Sequence, residues 1–151
     1  MNEINHISDF IRQNHLLTLC ANFDTDLWCA SCYYSFNPKK MSLLIMTSES
    51  SHHSQLMILN KNIVGTIAPQ TTNIIDIKGV QFKGKIKKLT NKEAEIANTY
   101  YYNKFPSAKF ISASIWEIEL LMIKMTDNSL GFGKKLFWHQ ESMKKNTPST
   151  H

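Results

Sequence analysis

The segment Ile74–Leu89, IIDIKGVQFKGKIKKL, decides the fold. Its apolar residues alternate up to Ile77 and then resume one step out of phase at Val80. This pattern predicts one long strand with a β-bulge at Gly79, and Gly84 gives the strand a second place to bend. Long strands that bend at glycines are typical of small antiparallel barrels. The segment therefore predicts a curved sheet.

Lysines occupy the other face of this strand. Gln81 opens that face, and Lys83, Lys85 and Lys87 follow at every second position. A row of positive charge suits an anionic ligand, whereas lysines on a solvated edge strand are the commoner explanation. For the lysines as a set we favour the solvated explanation and keep ligand contact as the alternative.

Size and charge limit the classes of function. The chain has 151 residues and a formal net charge of +5, from 17 Lys+Arg against 12 Asp+Glu. This length fits one domain with a substantial core. Arg12 is the sole arginine, and arginine is the usual residue for reading base edges and for bidentate phosphate contacts. The composition therefore disfavours specific nucleic-acid recognition.

The sequence predicts a cytoplasmic protein with no membrane partner. No apolar run approaches membrane-spanning length, and the polar start with Asn2 and Glu3 does not resemble a signal peptide. Three cysteines, Cys20, Cys29 and Cys32, form no disulfide framework, which agrees with this. Cys29 and Cys32 have redox-motif spacing, but residues three apart on a strand point to opposite faces, which favours small buried side chains.

The predicted order is helix, three strands, helix, two strands, helix, strand. Strands joined by hairpins, with helices between them, indicate an α+β class that is mainly β: an antiparallel barrel with two or three flanking helices. We predict a barrel domain over 1–139 and a disordered tail over 140–151. A capping box at Thr90 and Glu93 predicts the start of the third helix. On the last long strand, one face is predicted to carry Trp116, Ile118, Leu120 and Met122.

Hydroxyl and imidazole side chains gather between the third strand and the second helix. The run from Thr47 to His53 reads TSESSHH. Free backbone N–H groups and the dipole at a helix start suit a phosphate group. The alternative is that Ser50 or Ser51 caps the helix while the histidines are solvated, and on residue physics alone this alternative is the commoner one.

These residues resemble a known family. Thr47-x-x-x-Ser51-x-His53, followed by Leu56, Asn60 and Val64, resembles the strand–helix–strand signature of the pyridoxamine 5′-phosphate oxidase-like, FMN-binding split barrels. More narrowly, four segments resemble a small group of bacterial proteins related to that family, and the match extends from about residue 4 to residue 138. The segments are LWCASCYYSF, GVQFKG, WEIELLMIKMTDN and LGFGKKLFW.

The resemblance implies an antiparallel split β-barrel that forms a homodimer with two FMN sites at the subunit interface. It assigns the ribityl phosphate to Thr47, Ser51 and His53, with Ser48 in the same turn. The family usually has a lysine where this chain has His53. A neutral histidine offers one donor and no charge, so His52 or Lys83 would have to restore the charge.

Two further residues enter through the resemblance. Gln81 stands three residues before Gly84, where the family commonly places a polar residue near the cofactor. Trp138 would pack on the flavin across the dimer interface, as C-terminal aromatics do in related barrels. A plain core or interface role is the alternative for Trp138.

The leading hypothesis is an FMN-dependent oxidoreductase or reductase that acts on a small molecule. No side-chain constellation indicates a metal site or assigns catalytic residues, and a flavin would supply the redox chemistry itself. Pyridoxamine 5′-phosphate oxidation is not expected, because Arg12 alone cannot provide arginine-rich substrate contacts.

One alternative is a non-enzymatic haem- or flavin-binding module with His52, His53 or His139 as axial ligand. Another is a basic barrel that binds single-stranded nucleic acid through Tyr100–Tyr102.

Overall fold

The computed structural model describes residues 2–141. This part of the chain contains three α-helices and seven β-strands, in the predicted order and with one additional short strand near the C-terminus. The helices are α1 (Glu3–Gln13), α2 (His52–Leu59) and α3 (Asn91–Lys104). The strands are β1 (Leu16–Phe23), β2 (Asp26–Asn37), β3 (Ser42–Thr47), β4 (Asn62–Ile67), β5 (Lys78–Lys88), β6 (Ser114–Asp127) and β7 (Lys135–His139).

Six strands close into an antiparallel barrel. The sheet order is β3-β2-β1-β4-β5-β6-β7, and β3 also pairs with β6, which closes the ring. β5 pairs along nearly the whole of β6. β3 pairs with the first half of β6, Ser114–Glu119, and β7 pairs with the second half, from Met122 to Thr126. The predicted α+β class, mainly β, and the antiparallel barrel are confirmed.

The apolar phase slip around Gly79 does not mark a bulge. Ile74–Asp76 forms a 3-10 turn in which the side chain of Asn73 accepts a hydrogen bond from the backbone N–H of Ile75. The strand begins only after this turn, and Gly79 pairs in regular register with Thr126. The predicted bulge at Gly79 is wrong, because the isoleucines before it belong to a turn rather than to the strand.

The irregularity predicted near Gly84 is present, but its extra residue lies on β6. Lys83 pairs with Met122 and Gly84 pairs with Leu120, so Leu121 is left without a partner on β5. A residue inserted into one strand reverses which side chains face the core beyond it. The bulge therefore bends the β5–β6 pair at this point.

The predicted facing of β6 is wrong at Met122. Before the bulge, Trp116, Ile118 and Leu120 are buried, as predicted. Beyond it the buried side chains are those of Ile123 and Met125, while Met122 lies on the outer wall of the barrel and lines a groove there. Strict alternation fails because the bulge shifts the phase by one residue.

Helices cover the barrel and complete its core. α1 and α2 contribute Ile7, Ile11, Leu56 and Met57 to the barrel core, while α3 packs outside it in a smaller cluster with Leu44 and Ile115. Thr90 is the N-cap of α3, but its side chain makes no capping hydrogen bond, so the predicted capping box does not form. No helix within residues 2–141 is long and apolar enough to cross a membrane. The tail predicted over 140–151 lies, from residue 142 onward, outside the described residues.

Asp127 is a fully buried carboxylate that fastens the end of β6. Its Oδ2 accepts a hydrogen bond from His6 Nε2 at 2.7 Å, and its Oδ1 accepts from the backbone N–H and the hydroxyl of Ser129 at 2.9 and 2.6 Å. Burial pushes the pKa of this carboxyl upward, but the hydrogen bonds from Ser129 and His6 outweigh it, so the pKa lies below its ordinary value. The ionised form therefore stabilises the fold.

Asp127→Ala should lower the free energy of unfolding by about 2 kcal/mol, because it removes the buried acceptor of three hydrogen bonds. Urea denaturation measures this.

The lowered pKa means that the carboxylate's contribution to the stability of the fold is present above the ordinary pKa of 3.8 and is lost as the pH falls below it. Asp127→Asn should therefore flatten the acid limb of the stability curve. Asp9→Ala, which removes an exposed pair with Arg12, is the matched control and should change stability by less than about 0.5 kcal/mol.

Candidate functional site

A cluster of hydroxyls surrounds a buried imidazole where β3 passes into α2. We call Thr47, Ser48, Ser51, His53 and Ser54 the junction cluster. His53 Nε2 lies 2.7 Å from Thr47 Oγ1 and 3.2 Å from Ser51 Oγ. Trp116 Nε1 donates to the Thr47 carbonyl oxygen at 3.0 Å and so fixes the end of β3. The structure therefore brings together the three residues to which the family resemblance assigned the phosphate.

The surroundings of His53 favour its neutral form. Its side chain is buried, and burial, followed by the neighbouring His52, lowers its pKa below the ordinary 6.5. A neutral imidazole has one N–H donor and one acceptor nitrogen, so it can share one hydrogen bond with Thr47 but brings no charge. Charge for an anion at the junction must come from protonation of His53 or from a lysine.

The start of α2 keeps donors free. Ser51 is the N-cap, yet its hydroxyl makes no capping bond; it donates to the Ser48 carbonyl oxygen at 2.7 Å and lies 2.7 Å from Ser54 Oγ. Ser50 pairs with Ser48 through their hydroxyls at 2.9 Å, so neither predicted serine caps the helix through its side chain. The first N–H groups of a helix have no intrahelical acceptor. In α2 these groups belong to His52, His53 and Ser54, which lie within or next to the junction cluster.

A lysine that no sequence pattern singles out lies beside the junction. Lys88 Nζ lies 2.8 Å from Glu49 Oε1, to which Ser114 Oγ also donates at 2.9 Å. The hydrogen bonds from Lys88 and then from Ser114 lower the pKa of Glu49. Lys88 ends β5 and Ser114 begins β6, so only the strand pairing reveals that both lie next to the turn after β3.

His52 turns away from the junction cluster. Its Nε2 lies 2.9 Å from Asp26 Oδ2, and its ring meets the Trp28 ring edge-on at 5.1 Å between centroids. The two neighbouring histidines therefore splay apart, as their positions at a helix start predict. His52 lies close enough to lower the pKa of His53 but does not share its hydrogen bonds.

Gln81 and Lys83 lie in a separate groove on the outer wall of the barrel. The groove has a volume of about 400 Å³ and runs across β1, β4, β5 and β6. Lys83 and Lys124 line it, and neither forms an ion pair within the described residues. The remaining lining residues are Thr18, Cys20, Val64, Gly65, Thr66, Gln81, Phe82 and Met122. None of these belongs to the junction cluster.

The lysine row on β5 divides into two parts. Lys85 and Lys87 pair in register with Glu119 and Glu117 of β6, and Lys87 also lies 3.5 Å from Glu93. These two lysines have acidic neighbours and form the solvated surface that the sequence favours. Lys83 instead faces Met122 and lines the groove. Of these three lysines, Lys83 is the one that lines the groove on the outer wall.

Trp138 lies on β7 opposite Ile123 and packs against the core of its own chain. The structure does not bring it to the junction cluster. Of the eight predicted site residues, four thus lie together at the junction, and His52 lies next to them. Gln81 and Lys83 share the groove, and Trp138 stands apart.

Comparison with known proteins establishes the family. No family model matches the chain. A UPF0306 protein of Yersinia pestis is 48% identical over 132 residues, which cover 87% of this chain and 90% of that protein. The chain belongs to the UPF0306 family. A second UPF0306 protein, from Yersinia enterocolitica, matches to the same extent.

Several solved structures share the fold of this UPF0306 chain. A heme binding protein from Mycobacterium smegmatis has a TM-score of 0.77 at 12% identity; the match covers 92% of the UPF0306 chain but 58% of that longer chain. A FAD-binding protein from Mesorhizobium loti has a TM-score of 0.66 at 10% identity, with 79% and 90% covered. A candidate pyridoxamine 5′-phosphate oxidase from Listeria innocua has a TM-score of 0.67 at 10% identity, with 82% and 98% covered. At these identities the likeness establishes the split-barrel fold.

Proposed function

We propose that this UPF0306 protein binds FMN at the junction cluster and acts as a flavin-dependent oxidoreductase on a small molecule. The observation that carries the proposal is the meeting of Thr47, Ser51 and His53 beside the open N–H groups of α2. A phosphate monoester accepts hydrogen bonds from hydroxyls and backbone N–H groups. An imidazole that can take up a proton adds a charged donor. FMN, when bound, supplies the electron transfer.

The protein's own residues bind and orient the cofactor. The Thr47 and Ser51 hydroxyls would donate to the phosphate, and the first turn of α2 would add backbone donors and the positive end of its dipole. Lys88, which pairs with Glu49 in the turn after β3, would supply positive charge beside the junction. In the groove, Gln81 and Lys83 would bind the polar or anionic part of the flavin ring or of the substrate. The fit supports FMN over a cofactor that lacks a terminal phosphate.

We also propose that the chain works as a homodimer. Large apolar side chains are exposed on the outer face of the β1–β2 hairpin and on β4: Leu16 is 45% exposed, Leu27 65% and Val64 48%. Exposed apolar side chains that cluster on one wall are typical of a protein interface. This wall also carries the groove, so a second copy packed against Leu16 and Leu27 would border the groove and complete a site at its edge, to which Trp138 would contribute. Light scattering should give twice the monomer mass, and Leu27→Asp should return the monomer.

A flavin titration tests the cofactor proposal. Purified protein incubated with FMN and then desalted should retain flavin absorbance with one flavin per chain. Riboflavin, which lacks the phosphate, is the matched ligand control and should bind at least about tenfold more weakly, because the charge-assisted hydrogen bonds are lost. Failure to bind at micromolar FMN, or equal affinity for riboflavin, would contradict a phosphate site at the junction.

FMN binding should take up a proton at His53. The free imidazole has a lowered pKa, and a phosphate beside it raises that pKa, so affinity should increase by roughly fivefold from about pH 8 to about pH 6.5. Isothermal titration in two buffers of different ionisation enthalpy measures both affinity and proton uptake. His53→Gln should abolish the pH dependence while His52→Gln should keep it. A pH-independent affinity in the unaltered protein would place the phosphate away from His53.

Without ligand, protonation of His53 should lower the stability of the fold instead of favouring binding. Because its native pKa lies below the unfolded value of 6.5, the unfolded chain takes up the proton first and stability decreases as the pH falls below that value. Bound FMN should therefore protect the fold most strongly in mild acid. Thermal melts with and without FMN distinguish the two effects.

A haem-binding module is the second candidate. It is favoured by the exposed imidazole of His52, which stands beside the Trp28 ring at the mouth of the β1–β2 hairpin. Added haemin should then give a Soret band that His52→Ala removes.

The nucleic-acid alternative is not favoured. Tyr101 is buried, and its hydroxyl donates to the Tyr33 carbonyl oxygen, while the Tyr100 hydroxyl donates to the Phe36 carbonyl oxygen.

A further inference from the structure

Two cysteines face each other on the outer wall of the barrel. Cys20 on β1 pairs directly with Cys29 on β2, and their Sγ atoms lie 2.8 Å apart as free thiols. Cys29 is exposed, while Cys20 is half-buried and lines the groove. The sequence predicts small buried side chains for Cys29 and Cys32, which holds for Cys32 alone. The close pair is not the one with redox-motif spacing.

The strand pairing suits a bond between these two sulfurs. Directly opposed residues in an antiparallel sheet have Cα atoms about 4.5–5.5 Å apart. Disulfides span Cα separations of about 4.4–6.8 Å. The Cys20–Cys29 bond therefore requires little movement of the backbone. Cys29 and Cys32, by contrast, point to opposite faces of β2, as predicted.

We propose that Cys20 and Cys29 form a two-electron thiol–disulfide site that exchanges with low-molecular-weight disulfides. The Cys29 thiolate attacks one sulfur of the small disulfide, whose S–S bond breaks, and one thiolate leaves and takes a proton. Cys20 then loses its proton to solvent and attacks Cys29 Sγ, which releases the second thiolate. The protein gains one S–S bond and loses two electrons and two protons, and the small disulfide becomes two thiols.

The surroundings of the two thiols set their order of reaction. The hydrogen bond with Cys29 and then burial raise the pKa of Cys20, and its side chain is less accessible, so Cys29 is the thiol that attacks first. Burial raises the pKa of Cys32 to about 11, which keeps that thiol inert. The site therefore involves two of the three cysteines.

The bond would also change the groove. Cys20 pairs with Val64 across β1 and β4, and both side chains line the groove beside Lys83. Oxidation links the β1–β2 hairpin covalently at this wall and removes a thiol donor from it. The exchange uses only the chain's own thiols, so it does not depend on FMN binding.

Glutathione disulfide tests the proposal on the full-length protein. After incubation, acid quenching and alkylation in denaturant, intact mass spectrometry should show loss of two hydrogen atoms and one alkylated cysteine, Cys32. The internal disulfide should exceed the mixed glutathione adduct by more than about tenfold, because the second thiol is held beside the first. Dithiothreitol should reverse the change.

Three variants give the controls. Cys20→Ser should accumulate glutathione on Cys29, since the resolving thiol is missing, and Cys29→Ser should slow glutathione attachment at Cys20. Cys32→Ala should behave as the unaltered protein does. A stable glutathione adduct without an internal disulfide, disulfides between chains, or no oxidation over a wide range of redox buffers would each overturn the proposal.

Discussion

Thr47→Val combined with Ser51→Ala is expected to weaken FMN binding by about 100-fold, because each substitution removes one hydroxyl donor to a charged phosphate and each such bond contributes about 1.5 kcal/mol. Valine keeps the shape of threonine. Alanine at Ser51 does not remove a helix cap, because the Ser51 hydroxyl makes no capping bond. Fluorescence quenching of FMN measures the affinity.

The control for this pair is Ser50→Ala. Ser50 is exposed in the same turn and its hydroxyl contacts that of Ser48 rather than His53. Its removal should change FMN affinity by less than about threefold. Thermal melts of all three proteins show whether the turn itself has been damaged. A double variant that folds normally and binds FMN as tightly as the unaltered protein would disprove phosphate binding at the junction.

Gly65→Ala is expected to destabilise the fold by about 3 kcal/mol, since it forces atoms into a closely packed wall. A Cβ at Gly65 would come within 2.6 Å of the Thr18 carbonyl oxygen and would overlap the Phe82 ring. The first contact is with backbone of a paired strand, which cannot move without breaking the β1–β4 pairing. Urea denaturation measures the loss, and crystals of the variant would show displaced strands.

Gly79→Ala is the matched control on the neighbouring strand. A Cβ there would lie 3.6 Å from the Ile67 carbonyl oxygen and 3.7 Å from Ala68 Cβ, which are ordinary contacts. The free energy of unfolding should change by less than about 1 kcal/mol. Alanine also lowers the conformational entropy of the unfolded chain, which favours the folded state. Equal effects at both positions would show that loss of glycine flexibility, not crowding, decides the outcome.

Much of the barrel follows from short-range patterns. The order of helices and strands and the helix start after Thr47 follow from local features, and both are found as the sequence predicts. The bulge is different. Its extra residue, Leu121, is defined by which residues of β5 lie opposite, and no pattern within either strand alone contains that information. The facing of Met122 was mispredicted for the same reason.

The site shows the same division. Thr47, Ser51 and His53 lie within seven residues, so their meeting follows from one strand, one turn and one helix start. Lys88 reaches Glu49 only because β5 and β3 both pair with β6, and Cys20 meets Cys29 only in the register of one hairpin. Contacts between distant segments depend on strand register, which side-chain patterns specify weakly.

The closure of the barrel through β3 and β6 has a consequence for synthesis. β3 is complete about seventy residues before its partner segment of β6 leaves the ribosome. During this time the edge of β3 that later pairs with β6 is unpaired and its apolar side chains are exposed. An unpaired strand edge of this kind invites pairing with another chain. Nascent chains of this protein should therefore depend on chaperones that cover this strand edge until β6 emerges.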